Sequence, residues 1–127
     1  MTQTVFPCLT FKDARASIDW LERVLGAERL AVHEDDEGRV VHAEIRIGAS
    51  TVMAGDERAG SRATPAGASV VYVVVDDADA AYERAKAAGA DATEPVDLDY
   101  GSRDVTVTDP DGNRWSLGTY AGAGAAG

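Results

Sequence analysis

Cysteine is nearly missing from this chain of 127 residues, where Cys8 stands alone. A single cysteine excludes an internal disulfide framework and any cysteine-rich zinc site. Long hydrophobic runs are missing too, since none approaches the roughly 18 residues that a membrane-spanning helix needs. Met1-Thr2-Gln3-Thr4 has neither the basic start nor the apolar stretch of a secretory leader, so a cytoplasmic protein is expected. Lysine is scarce, with two against ten arginines. The 12 basic residues are outnumbered by 22 acidic ones, giving a net charge of −10. That balance argues against nucleic acid and anionic membranes as partners, because both need a basic face to neutralise phosphate. It suits solubility, and it favours a cationic ligand by steering.

What is present is a 45% apolar composition, enough for a packed core, and a repeat. Phe11-Lys12-Asp13-Ala14-Arg15-Ala16 is echoed by Val75-Asp76-Asp77-Ala78-Asp79-Ala80. Leu25-Gly26-Ala27-Glu28 is echoed by Ala88-Gly89-Ala90-Asp91. The offset is 64 residues at Phe11/Val75 and 63 at Leu25/Ala88, so one residue is lost inside the second helix. Each copy runs strand, Asp, Ala-rich helix, Gly, strands. Such a duplication predicts two modules related by a pseudo-twofold axis and a surface between them for a small molecule. The expected division is one domain over 1–120: module one over about 4–56, a linker over about 57–67 and module two over about 68–120. The small-residue tail 121–127 is expected to be flexible.

Asp13 is the expected N-cap of a helix to about Leu25, whose Ala14, Ile18, Leu21 and Leu25 form one apolar stripe. A second helix is expected over about Asp77–Ala88, ended by Gly89, then an irregular stretch over 93–102. Arg103–Thr108 and Arg114–Tyr120 form a hairpin across Asp109-Pro110-Asp111-Gly112. Alternation assigns faces. Val41, Ala43, Ile45 and Ile47 should face the helices, leaving His42, Glu44 and Arg46 on the other side. Thr106 and Ser116 likewise face away from the helices. Val70–Val75 is apolar on both sides apart from Tyr72 and reads as a strand buried on both faces.

The duplicated unit, with Leu9–Ala14 leading into Trp20–Glu28 and Asp109-Pro110-Asp111-Gly112-Asn113-Arg114-Trp115-Ser116, resembles the vicinal oxygen chelate superfamily. That superfamily includes glyoxalase I, extradiol dioxygenases, and fosfomycin- and bleomycin-resistance proteins. The resemblance covers residues 5–120. It implies an α+β fold of two βαβββ modules forming an open cup, usually in a homodimer. It also implies a divalent metal held by four inward side chains. Carried over one by one, three of those positions fall on Phe6, Val70 and Ser116, and only Glu44 keeps a ligand. Phe and Val have no lone pair to offer, and Ser is a poor ligand for zinc or nickel. No metal and no other cofactor is therefore expected, with a divalent metal as the alternative.

The candidate catalytic residues are His42 and Glu44, an acid–base pair if the cup buries them. Their plainer role is an ion-pair network with Arg46. Candidate ligand-binding residues are Phe6, Cys8, Arg46, Val70, Tyr72, Tyr100, Arg103, Thr106 and Ser116. Phe6, Val70 and Tyr72 would form an apolar floor for a flat organic molecule. The expected function is metal-independent binding of a small organic molecule, such as a cationic antibiotic. The alternative is a lyase, isomerase or dioxygenase-type enzyme.

Overall fold

Each helix starts on an extended aspartate whose side chain accepts a hydrogen bond from an amide three residues on. Asp13 (φ −138°, ψ 94°) receives the Ala16 N–H at 3.2 Å and starts α1, Ala14–Leu25. Asp77 (φ −141°, ψ 105°) receives the Ala80 N–H at 3.1 Å and starts α2, Ala78–Ala87. Both satisfy donors that a helix leaves orphaned at its first turn. Gly26 ends α1 in the left-handed region (φ 68°), which a Cβ would strain. The computed structural model describes residues 3–58 and 64–123. Part of the expected linker 57–67 and most of the tail 121–127 lie outside the described residues.

The strands are β1 (Cys8–Phe11), β2 (Glu28–Glu34), β3 (Val40–Ile47), β4 (Ser50–Asp56), β5 (Val70–Val74), β6 (Asp91–Ala92), β7 (Val96–Asp97), β8 (Arg103–Thr108) and β9 (Arg114–Gly118). They form two sheets, ordered β1-β4-β3-β2 and β5-β9-β8-β6, with β7 also on β8. The topology repeats. In each sheet the first strand runs parallel to the last, and the remaining pairs are antiparallel. The two short strands β6 and β7 occupy in module two the place that β2 fills in module one. The stretch expected to be irregular over 93–102 therefore contains β7. This is the α+β fold of two βαβββ modules with open sheets that the sequence predicts.

The core lies between helices and sheets. Phe11, Ile18, Leu21, Val24, Ile45, Val105, Val107, Trp115 and Leu117 are almost completely shielded from water. Trp20 joins them. The modules meet through the packing of α1 on α2. Arg84 of α2 reaches the end of α1, its Nε donating to the Arg23 carbonyl at 3.2 Å. A cation there complements the negative end of the helix dipole and satisfies carbonyls left free in the last turn. The Lys12 N–H donates to Asp111 Oδ2 at 2.8 Å, a second tie between the modules.

Two expected faces are corrected. Val40, not Val41, faces the helices: Val40 is 1% exposed and Val41 43%. The β2–β3 register steps from His33↔His42 to Glu34↔Val40, so Val41 is the extra residue of a bulge and the alternation resets there. The Val40 N–H is taken up by Asp56 Oδ2 at 2.7 Å. Strand β5 is not buried on both faces either. Val70 and Val74 are 64% and 52% exposed, so the face of β5 that carries them is open, and β5 pairs with β9 at the end of its sheet. No helix among the described residues is long and apolar enough to cross a membrane.

Candidate functional site

The expected site residues fall on two sheets rather than on one surface. In module one, β3 presents His42, Glu44 and Arg46 on the face away from the helices. The His42 Nε2 lies 2.9 Å from Glu44 Oε2, and both side chains are a little over a third exposed. Arg46 does not join them. It pairs with Glu28, its cross-strand neighbour on β2, so the expected three-residue ion-pair network is two separate pairs. His33, directly opposite His42, stacks on it with ring centroids 5.9 Å apart and planes 18° off parallel. Met53 sits between Glu44 and Cys8 in register. A cavity of about 370 Å³ opens here, lined in part by Cys8, Thr10, Val41, His42 and Met53. Cys8 is exposed, and its thiol donates weakly to the Phe6 carbonyl oxygen at 3.6 Å.

In module two, the open face is laid out by register. Tyr72, Ser116 and Thr106 form one row across β5, β9 and β8, and Val74, Gly118 and Asp104 form the next. Tyr72 does not stay in its own row. Its hydroxyl donates to the Tyr120 carbonyl at 2.7 Å and lies 3.5 Å from Ser102 Oγ. It crosses over Gly118, where a Cβ would collide with both Tyr72 and Asp104. Tyr100 packs edge-on against Tyr120, with centroids 5.4 Å apart at 80°. Burial first, then the negative charge of Asp104, pushes the Tyr100 phenol above its ordinary value, so it stays neutral.

Arg103 is not on this face. It shares the helix side of β8 with Val105 and Val107, and is held by Asp79 at 3.1 Å and Asp97 at 2.9 Å. The expected ligand contact for Arg103 gives way to a tie between the start of α2 and β7. The cleft that Tyr72 lines is lined by neither Phe6 nor Val70. Phe6 is half-buried beside β1, while Val70 and Tyr72 are exposed on β5. That cleft, of about 560 Å³, runs between the modules, from Val5, Pro7 and the β3–β4 turn to Tyr72 and Val74. Among the described residues, no hydrogen bond or ion pair joins the His42 group to the Tyr72 group.

Sequence reasoning passed over Ser102, Asp104, Gly118 and Tyr120. Strand parity placed Asp104 beside Thr106 on the open face, and that was the available signal. Nothing in the sequence shows Tyr72 leaning across Gly118.

The donor set does not suit the four-ligand metal centre that the resemblance implies. Val70 is hydrocarbon, Phe6 offers only a ring, and Ser116 lies among Tyr72 and Thr106. Among the described residues no three His, Cys, Asp or Glu side chains converge as a metal would require.

The comparisons with known proteins agree with the architecture. An uncharacterised protein of Mycobacterium bovis is 33% identical over 121 residues, covering 88% of this chain and 80% of that protein. The crystal structure of TioX from Micromonospora sp. ML1 is 29% identical, with a TM-score of 0.77, covering 92% of this chain and 98% of TioX. A bleomycin resistance determinant encoded on the transposon Tn5 is 17% identical and shares the fold, with a TM-score of 0.70 and coverage of 94% and 99%. The profile of the Glyoxalase/Bleomycin resistance protein/Dioxygenase superfamily matches residues 4–117. This chain belongs to that superfamily.

Proposed function

We propose that the protein captures a small organic molecule stoichiometrically, without a resident metal. The observation that carries this reading is the character of module two's open face. Where the superfamily's metal ligands would stand, there are an exposed valine and a serine flanked by Tyr72 and Thr106. Such a face provides apolar contact area and a few polar groups for orientation, as small-molecule sites do. The resistance role printed for the Tn5 determinant supports an antibiotic as the captured molecule. The net charge of −10 supports a cationic one.

A homodimer is part of the proposal. The exposed valines of β5, together with Val5 across the cleft, form an apolar rim. A second copy would cover it and enclose the ligand. Sedimentation gives a dimer mass if this holds.

The test combines elemental analysis with a melting curve. Protein purified without an affinity tag is expected to hold far less than one zinc, nickel, manganese or iron per chain. Its melting temperature is expected to rise by several degrees with acridine orange, a flat aromatic cation, because a ligand that binds only the folded state stabilises it. One metal per chain, or a melting temperature that falls on chelation, overturns the reading. A second reading, acid–base catalysis, is favoured by the 2.9 Å contact between His42 and Glu44. A carboxylate on one ring nitrogen orients the imidazole and fixes its tautomer. Turnover of a candidate substrate that His42→Gln abolishes would establish it.

A further inference from the structure

Three of the chain's four tyrosines meet at one end of module two's open face. What they surround is a carboxylate. Asp104 and the Tyr72 hydroxyl stand over the same bare backbone at Gly118, where even a methyl group would overlap both. Ser102, buried, donates its hydroxyl to Asp104 and accepts the Tyr120 N–H at 3.2 Å. Among the described residues, no Lys, Arg or His forms an ion pair with Asp104. The nearest arginine in sequence, Arg103, points to the opposite face and is committed to Asp79 and Asp97.

The hydrogen-bond inventory of the cluster is one-sided. The Ser102 hydroxyl proton goes to Asp104, and the Tyr72 proton goes to the Tyr120 carbonyl. The Tyr72 lone pairs remain, as do one on Ser102, whose other takes the Tyr120 N–H, and the free positions of the carboxylate. Tyr100 stays a neutral phenol beside that charge. The surface therefore offers acceptors, aromatic rings and one carboxylate without an ion-pair partner among the described residues, and the hydroxyl protons of Ser102 and Tyr72 are already used. An anion is repelled. A metal ion finds one carboxylate and no imidazole or thiolate. A ligand bearing positive charge, with apolar groups around it, matches what is left, because ring faces attract cations electrostatically.

We propose that Tyr72, Tyr100, Tyr120 and Asp104 form a subsite for an organic ammonium group on the captured molecule. This inference rests on the capture reading above and names the chemistry of the ligand. Asp104 supplies the charge, and the tyrosine rings supply the wall. Gly118 is the position that lets Tyr72 lie against Asp104. Ser102 positions the carboxylate.

The test is a titration of the full chain, followed by backbone and tyrosine side-chain NMR, with choline and with 3,3-dimethylbutan-1-ol, its neutral isostere. Choline is expected to shift Ser102, Asp104 and Tyr120, and to bind at least tenfold more tightly than the isostere. Asp104→Asn is expected to lose at least tenfold in choline affinity while melting within a few degrees of the unsubstituted protein. Tyr100→Leu, on an exposed loop, is expected to lose severalfold. Equal binding of the two probes, or unchanged choline affinity in Asp104→Asn, overturns the subsite and leaves the capture reading standing. No shift with choline, together with no melting response to acridine orange, overturns both. If Asp104→Asn changes the sedimentation mass while choline does not bind, the occupant of the cluster is a cationic side chain of a second copy, and the inference is overturned in that way.

Discussion

The two modules share a topology and differ in what each does with it. Helix α1 buries Ile18, Trp20, Leu21 and Val24. Helix α2, ten residues against twelve, buries only Ala78 and Ala85. The sheet faces differ just as much. Module one's open face carries charge in pairs: His42 with Glu44, and Arg46 with Glu28. Module two's carries Val70, Tyr72, Val74, Thr106 and Ser116, with the Asp104 carboxylate, which among the described residues has no ion-pair partner. A duplicated unit keeps its strand order because register and chain connection enforce it. Its side chains are free to diverge wherever they face solvent. Module one contributes most of the buried core, and module two leaves more apolar surface on its open face bare.

If that division is right, cutting the core should hurt most in module one. Leu21→Ala is expected to cost about 3–5 kcal/mol, within the range for buried Leu truncations. Tyr82→Ala, on the half-buried side of α2, is expected to cost roughly 1 kcal/mol, the typical size for a point substitution. Urea unfolding of both variants measures the gap, and equal losses would break the comparison.

Module two has one polar anchor that rivals a hydrophobic one. Asp109, 5% exposed, accepts from the Asn113 N–H at 2.9 Å, Asn113 Nδ2 at 2.9 Å and Trp115 Nε1 at 3.1 Å. Asp109→Ala strands those buried donors and is expected to cost about 3 kcal/mol, since each unsatisfied buried group costs roughly 1–3 kcal/mol. A melting temperature within two or three degrees of the unsubstituted protein would show that water replaces the carboxylate.

The tie between the modules is smaller. Arg84→Ala removes the cation at the end of α1 and is expected to cost about 1 kcal/mol at most, as exposed helix-dipole interactions do. Sharpening this, Arg84→Lys should restore the dipole term and lose the reach to the Arg23 carbonyl, so it should fall between the two in a urea titration.

The smallest effect is a pH dependence in module one. Hydrogen bonds from the Arg39 N–H, then from the Glu37 N–H, and the Arg39 guanidinium hold the Asp35 carboxyl below its ordinary value of 3.8, against a counteracting desolvation. A depressed value in the folded state contributes stability that is present above the unfolded value and lost as pH falls through the folded one. The Asp35 contribution should therefore fade only below about pH 4, the ordinary carboxylate range. Carboxyl NMR should show Asp35 titrating below the ordinary value of 3.8, and Asp35→Asn should flatten the acid limb of stability. Titration of Asp35 at or above that ordinary value would refute the assignment.

Much of the fold was legible because its causes are local. The N-caps at Asp13 and Asp77, the glycine after α1 and the Asp109–Gly112 turn act over three or four residues. The echo between Phe11 and Val75 revealed the duplication. Parity placed Ala43, Ile45, Val105 and Trp115 in the core. It failed at Val41, because a bulge depends on how β2 pairs with β3. It failed at β5, because a run of valines reads the same whether its outer face is covered or bare. The candidate site was legible only as a set of residue types. Glu44, Ser116, Tyr72 and Tyr100 stood out from their apolar neighbours, but the distances among them did not.

The sequence alone determined the α+β class, the repeated strand order, the helix starts and the incompatibility of Phe6 and Val70 with a metal. These follow from periodicity, capping chemistry and the presence or lack of a lone pair, all properties of residues taken singly or a few positions apart. Tertiary structure alone decided that Arg103 is taken up by Asp79 of α2, that Arg46 pairs with Glu28, and that Tyr72 crosses Gly118 to stand over Asp104. Those outcomes depend on register between strands and on which neighbour lacks a side chain. Such facts arise only when residues 14–46 positions apart in the chain are brought side by side.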